Sequence, residues 1–285
     1  MHKKYLITGS SGFIGTNMYL NLKKKNSSLW CLDKNVSKYE KIKEFSRLDL
    51  SDEKKTKKFF SQHSFDYVIN FAALSGIINC DENPDLAIKD NILSIRNILN
   101  YSKTKKIVII TSYSTLDEKS FSFYAACKKI NEQLLDTNFS KKNIIIIRLS
   151  NIFGPYSLHK KSVIHQLCKS IQRKSIFNIH GTGNQKRNYI FVEDLIKVIL
   201  VIIHKKKFKG IINIGSSDNW SIKNLIKMFN KLTNSKIRCK NVRHPLDDKF
   251  TKTKKIVDKP HIFIKDKNFL KKLKKTLDWY NDQKI

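Results

Sequence analysis

The chain has 285 residues, 40% of them hydrophobic, enough to bury a substantial core as one large α/β unit or a domain with a smaller lobe. It carries 56 Lys and Arg against 24 Asp and Glu, a net charge of +32. The basic residues are spread along the whole chain (Lys23–Lys25, Lys54–Lys58, Lys205–Lys207, Lys252–Lys255, Lys271–Lys275) with no zinc, homeodomain or aromatic RNA-binding signature beside them, so nucleic acid is not an expected partner. Lysine-biased composition accounts for the excess, and the positive field would help draw in an anionic diphosphate. The most apolar run, Val198–Ile203, is too short to span a bilayer, and no membrane association is expected. Five cysteines form no C-x-x-C pair, and no secretory segment stands at the N-terminus. The reading is reduced thiols in a cytoplasmic protein.

Tyr5–Ile7 is an apolar run ending in Thr8-Gly9-Ser10-Ser11-Gly12-Phe13-Ile14-Gly15, and an amphipathic stretch follows from Phe13 to Leu22. This strand–turn–helix order suits a dinucleotide pyrophosphate. Gly9 allows a tight turn, Gly12 lets phosphate approach the backbone, and Gly15 lets helix and strand pack closely. The helix N-terminus, with Ser11, Phe13 and Ile14 around it, offers N–H groups to the phosphates. Leu29–Asp33 reads as the next strand. Asp33 lies about 20 residues past the turn, where a carboxylate can accept the adenosine ribose hydroxyls and repel a 2′-phosphate. The ligand expected is NAD.

Glu44–Leu50 reads as a short strand, followed by a charged helix that Ser51-Asp52-Glu53 caps and that runs through Phe60. Phe65–Ala73 is a continuous apolar run, as a strand buried on both faces requires, with small residues at its end. Pro84–Ser102 has apolar residues at helical spacing. Lys106–Ser112 is another buried strand, followed by a helix from Phe123 to Phe139 and a strand from Asn143 to Leu149. Such alternation predicts an α/β fold with a doubly wound parallel Rossmann sheet over residues 1–150. Over 151–285 the pattern loosens into a smaller C-terminal α+β substrate lobe, with some segments returning to the sheet. Helices are expected at Ser162–Lys174, Val192–Lys206, Ser221–Thr233 and Asn268–Tyr280, and short strands at Ile176–Ile179, Ile211–Ile214 and Lys236–Cys239. Lys249–Lys267 is Lys-rich and poorly patterned.

Tyr124 and Lys128 stand one helical turn apart, at i and i+4 on one face. A nearby ammonium stabilises a phenolate, so Lys128 is expected to lower the pKa of Tyr124 toward that of a general base. Ser112 closes the preceding strand at the edge where ligands bind in open parallel sheets, and its hydroxyl could hydrogen-bond an oxygen undergoing oxidation. The histidines and cysteines show no metal-site spacing, and no metal is expected.

Together these stretches resemble the extended short-chain dehydrogenase/reductase family of nucleotide-sugar epimerases, dehydratases and reductases, over roughly residues 4–225. The resemblance is carried by Thr8–Gly15, Asp49-Leu50, Asn70-Phe71-Ala72-Ala73, Thr111-Ser112, Tyr124 with Lys128, and Arg148–Pro155. It continues through Gly181-Thr182-Gly183, Arg187-Asn188-Tyr189, Val192-Glu193-Asp194 and Asn213-Ile214-Gly215. It implies Ser112, Tyr124 and Lys128 as catalytic residues. Cofactor contacts would come from Asp49, Leu50, Phe71, Ala72, Ala73 and Asn91, besides the glycine turn, Asp33, Tyr124 and Lys128. Ser114, Asn151, Arg187 and Arg243 (with Asp247 nearby) would hold the nucleotide sugar, a UDP-hexose by resemblance. The resemblance also implies a homodimer through helices around Pro84–Ser102 and Phe123–Phe139, and the family habitually serves cell-surface polysaccharide synthesis.

Four departures from the family pattern stand out. Asn70 replaces a frequent His and Asn188 a frequent Asp. The loop between Ser112 and Tyr124 is short and lacks V-Y-G. Tyr113 and Ser114 stand where dehydratases carry an acidic pair, and Asp117-Glu118 come later and read as a solvated pair. The activity expected is NAD-dependent epimerisation at C4 of a nucleotide-linked hexose through a 4-keto sugar. A 4-keto-sugar reductase would use the same three residues, a 4,6-dehydratase ranks third, and a non-catalytic nucleotide- or RNA-binding member is the alternative from another class.

Overall fold

The computed structural model describes residues 3–25, 27–116, 122–136, 143–205, 208–242 and 262–283. Arg243, Asp247, Asp117-Glu118 and most of the Lys-rich segment lie outside these residues.

Six strands form the N-terminal part of the sheet: β1 (Lys4–Thr8), β2 (Ser28–Asp33), β3 (Phe45–Arg47), β4 (Phe65–Asn70), β5 (Thr104–Ser112) and β6 (Ile144–Leu149). They are joined in the order β6-β5-β4-β1-β2-β3 with parallel pairing throughout, the strand order of a doubly wound dinucleotide fold. β10 (Gly210–Ser216) and β13 (Ile262–Ile264) extend this sheet beyond β6 to eight strands. The central strands β1, β4, β5 and β6 bury both faces; Leu6, Ile69, Ile109 and Ile146 are all fully enclosed. Their near-continuous Ile/Val runs are what two-sided burial demands.

The chain forms two compact units. The first comprises Met1–Leu149 and Ile196–Asn213, the second Ser150–Leu195 and Ile214–Ile285. In the first, Phe59, Phe60, Ile95, Ile98 and Leu99 from α2 (Glu53–Gln62) and α5 (Ser94–Tyr101) pack with Leu6, Leu32 and Val68 of the strands. The other helices named here are α1 (Phe13–Lys23), α3 (Ile77–Glu82), α4 (Pro84–Ile88) and α6 (Phe123–Asp136). The second unit has its own core. Phe153, Leu167, Phe229, Leu273 and Tyr280 meet there from β7 (Asn151–Phe153), α7 (Val163–Gln172), α9 (Ile222–Thr233) and α10 (Phe269–Asn281). Tyr280 is fully buried, and its hydroxyl donates to the Ser157 carbonyl at 2.8 Å.

Three expectations need correction. Pro84–Ser102 is not one regular helix. A π turn, Lys89–Leu93, separates α4 from α5, a local widening that apolar spacing does not reveal. The strand expected at Glu44–Leu50 ends at Arg47, because Asp49 Oδ1 accepts the Ser51 N–H at 2.9 Å and turns the chain. The strand expected at Lys236–Cys239 instead begins at Cys239 (β12, Cys239–Val242), beside β8 (Phe177–His180). Residues before it close off α9: the Ile237 N–H donates to Asn230 Oδ1 at 2.9 Å.

His165 gives the second unit a pH sensitivity. It is fully buried on α7, with Nδ1 at 2.6 Å from Ser162 Oγ. Burial first, then the positive charges of Lys160 and Lys169, hold its imidazole down to about 3, against 6.5 for an ordinary histidine. The folded state therefore binds this proton less readily than the unfolded chain, and its contribution to stability is intact above pH 6.5 and lost as the pH falls from there toward 3. Urea midpoints measured between pH 7.5 and pH 4 should fall on the acid side, and His165→Asn should flatten that fall.

Candidate active site

β1 runs into Gly9, whose φ of 66° is left-handed backbone. A Cβ on Gly9 would lie 2.4 Å from the Ala72 amide nitrogen, and one on Gly15 would lie 2.1 Å from the Gly9 carbonyl oxygen. The turn is therefore pressed against the end of β4 on one side and against its own helix on the other, and only glycine fits either place. No side chain caps the N-terminus of α1.

Asp33, at the end of β2, accepts the Ser11 N–H at 3.0 Å and the Asn35 N–H at 2.9 Å. Burial raises its carboxyl above the ordinary range, with those two N–H bonds and the Lys34 charge opposing. Asp49 is exposed and Leu50 buried, and the Leu50 carbonyl accepts from Asn97 Nδ2 at 2.9 Å. Phe71 and Ala72 are half-buried and Ala73 is exposed. Asn91 is fully buried in the π turn. Its Nδ2 donates to the Leu74 carbonyl at 3.1 Å, while its Oδ1 has no partner. Asn91 thus supports the loop after β4 from beneath. A cradle that a Cβ would fill, an uncapped helix end and a carboxylate at the tip of β2 fit a dinucleotide with an unphosphorylated ribose.

Ser112, Tyr124 and Lys128 come together in the first unit. The Ser112 hydroxyl is a hydrogen-bond partner of Tyr124 and accepts the Ser114 N–H at 3.2 Å. Lys128 is buried, with its Nζ 5.8 Å from the centre of the Tyr124 ring and donating to the Ile110 carbonyl at 3.4 Å. The expectation that Lys128 lowers the Tyr124 pKa is not met in the protein alone. Burial dominates and pushes the phenol up to about 12, against the Ser112 hydrogen bond. Ser114 Oγ is buried without a partner.

Of the residues assigned to the nucleotide sugar, Ser114 lies in the first unit and Asn151 and Arg187 in the second. Asn151 Nδ2 donates to the Asn188 carbonyl at 3.0 Å. Arg187 is exposed on β9 (Lys186–Phe191). Among the described residues no cluster of His, Cys, Asp and Glu could hold a metal ion, and no helix is long and apolar enough to cross a membrane.

Sequence reasoning missed Glu132. It stands two turns beyond Tyr124 on α6, 8% exposed, and meets Arg148 through two bonds, Nε to Oε1 at 2.9 Å and Nη2 to Oε2 at 2.7 Å. Its Oε1 also accepts the hydroxyls of Thr111 at 2.8 Å and Thr115 at 3.1 Å. One carboxylate thus joins α6, β6 and the segment that carries Ser112. The signal was present as a third polar residue on the Tyr124–Lys128 stripe. Removing one partner of a buried bidentate pair leaves the other charge stranded, at a cost of about 3–5 kcal/mol. Glu132→Gln should lower stability in that direction by urea unfolding, and Glu132→Gln with Arg148→Met should cost less than the two single changes summed.

The NAD dependent epimerase/dehydratase family profile matches residues 5–215. A dTDP-D-glucose 4,6-dehydratase of Dictyostelium discoideum is 28% identical over 78% of this chain, which spans 60% of that protein. A UDP-glucuronate 4-epimerase of Thermodesulfobacterium geofontis is 27% identical, with 96% of this chain and 95% of that protein covered. In fold the chain is similar to UDP-N-acetylglucosamine 4-epimerase from Methanobrevibacter ruminantium M1, solved in complex with UDP-N-acetylmuramic acid. The TM-score is 0.80 at 22% identity, with 98% of each chain covered. With its glycine turn, its parallel sheet and the Ser112–Tyr124–Lys128 set on the strand and helix expected of them, the chain belongs to the NAD dependent epimerase/dehydratase family of enzymes.

Proposed function

We propose that the protein epimerises C4 of a UDP-linked hexose, with Ser112, Tyr124 and Lys128 as catalytic residues. The observation that carries this reading is the meeting of a strand-end serine, a phenol and a buried ammonium in one place, with a buried tyrosine and a serine at positions 113 and 114. A dehydratase needs an acid and a base on adjacent sugar carbons, and no carboxylate follows Ser112 directly. The similarity to UDP-sugar 4-epimerases supports the choice of substrate.

The Gly9–Gly15 turn, Asp33, Leu50, Ala72 and Ala73 would hold NAD, which would supply a reversible hydride acceptor at the sugar carbon. Tyr124 Oη takes the proton of the sugar hydroxyl, and Ser112 Oγ holds the oxygen that becomes a carbonyl. The Lys128 ammonium, 5.8 Å from the ring centre, is the cation assigned to stabilise the Tyr124 phenolate during turnover, against the burial that holds the phenol at about 12 in the protein alone. Arg187, exposed on β9, offers a planar fork suited to the diphosphate, and the resemblance adds Asn151 and Arg243. Ile78, Leu86, Ile88 and Ile130, exposed on α3, α4 and α6, support a homodimer through these helices. Four of the five cysteines are buried free thiols, in keeping with a cytoplasmic setting.

The reaction predicts near-stoichiometric NAD in the supernatant of denatured protein and interconversion of UDP-glucose and UDP-galactose, or of their N-acetyl or uronate counterparts. Tyr124→Phe should keep NAD and lose turnover by at least about a thousandfold; near-normal activity in that variant would falsify the assignment. Because the base must be deprotonated, kcat/KM should rise with pH along its acid limb, and Lys128→Met should move that limb to higher pH. A protein isolated empty that reduces a 4-keto sugar at the expense of NAD(P)H would be a reductase.

A further inference from the structure

A second set of charges lies by the glycine turn. β1 sits between β4 and β2, and its last residue, Thr8, pairs with Asn70 on one side and Leu32 on the other. Whatever follows β2 and whatever follows β4 therefore flank Gly9 from opposite sides. Lys34 follows Asp33 at the end of β2, and Asp90 belongs to the π turn, which Asn91 ties to the loop after β4 through the Leu74 carbonyl. Lys34 Nζ meets Asp90 Oδ2 at 2.5 Å, with side-chain exposures of 39% and 10%. The ion pair thus runs from one flank of the turn to the other. Both ends are anchored. The Lys34 carbonyl accepts from Arg47 Nε at 3.2 Å, and the Asp90 carbonyl accepts from Ser94 Oγ at 2.6 Å.

We propose that Lys34 and Asp90 form a clasp across the dinucleotide groove, and that breaking it is a step in the release of NAD. This rests on the reading of Gly9–Gly15 as the seat of the pyrophosphate and Asp33 as the partner of the adenosine ribose. A dinucleotide seated on those residues lies between the two anchors of the clasp, and cannot leave sideways past the turn while the pair is closed. The clasp also keeps the Lys34 ammonium on Asp90, which leaves Asp33 to face the ribose hydroxyls. A slow-leaving cofactor suits a cycle that returns its hydride before turnover ends. Both groups are positioning residues for the cofactor and touch no reacting atom.

The test is the release rate of radiolabelled NAD from the preloaded protein into excess unlabelled NAD. It compares wild type, Lys34→Met, Asp90→Asn and the double variant, each shown folded by its thermal transition. Each single variant should release NAD about five- to tenfold faster. The double variant should be no faster than either, since each change already removes the whole pair. Raising salt from 0.05 M to 0.5 M should speed release from wild type and leave the variants nearly unchanged. Single variants that release NAD at the wild-type rate, or whose effects multiply in the double variant, overturn the clasp and leave the seat standing. A wild type that binds no NAD refutes the seat and the clasp together.

Discussion

The contact on which the rest of the first unit depends is the approach of the Gly9 turn to the backbone of Phe71 and Ala72. With 2.4 Å between a would-be Cβ and the Ala72 nitrogen, β1 and β4 are brought as close at their ends as along their paired length. Gly15 repeats the constraint from the helix side. The two glycines pull strand, turn and helix into a single layer of backbone at the edge of the sheet, where ligands of such folds bind. The Thr8 hydroxyl bonds Asn70 Oδ1 just beneath, so polar groups at the strand ends are satisfied by one another and the turn above is left for a ligand. Asn70 can serve here because the task is to accept a hydroxyl proton, which an amide oxygen does as well as a ring nitrogen.

On α6 the electrostatics run along one stripe. Tyr124, Lys128 and Glu132 are spaced one turn apart, which in isolation would let Glu132 draw Lys128 away from the phenol. Arg148 prevents this by taking both Glu132 oxygens. The positive charge of Lys128 stays near Tyr124, and the segment that carries Ser112 is anchored at Thr111 and Thr115 by the same carboxylate. Burial nevertheless outweighs the Lys128 charge in the protein alone and holds the Tyr124 phenol at about 12.

Much of this was legible because it is local. The glycine spacing, the Ile-rich strands buried on both faces and the i, i+4 placement of Tyr124 and Lys128 are each set by a few neighbouring residues. What was not legible depends on partners far apart in the chain. Nothing in the spacing of Ile88, Ile92 and Ile95 marks the widened turn that places Asp90 opposite Lys34. The Glu132–Arg148 pair needs α6 and β6 to be adjacent before either charge has meaning. The Tyr124 pKa was misjudged because the chain shows the cation beside the phenol and hides the burial around it. β12 shifted along the chain because Asn230, on the preceding helix, takes the Ile237 N–H that a strand would have used.

Asn188 carries a consequence of a different sort. Its Oδ1 accepts the Ser216 N–H at 2.7 Å and the Ser150 hydroxyl at 2.9 Å. Its Nδ2 faces the Ser216 carbonyl at 2.7 Å, the Asp218 carbonyl at 3.2 Å and Asn219 Oδ1 at 3.3 Å. A carboxylate has the same shape but no donors, and would turn three attractions into three repulsions. Amide and acid at this position are therefore separate solutions, each with its own set of neighbours. A lineage that exchanges one for the other must rewrite the turn at 216–219 in the same step. The side chain and that turn fit each other as one polar unit assembled from two distant stretches of the chain.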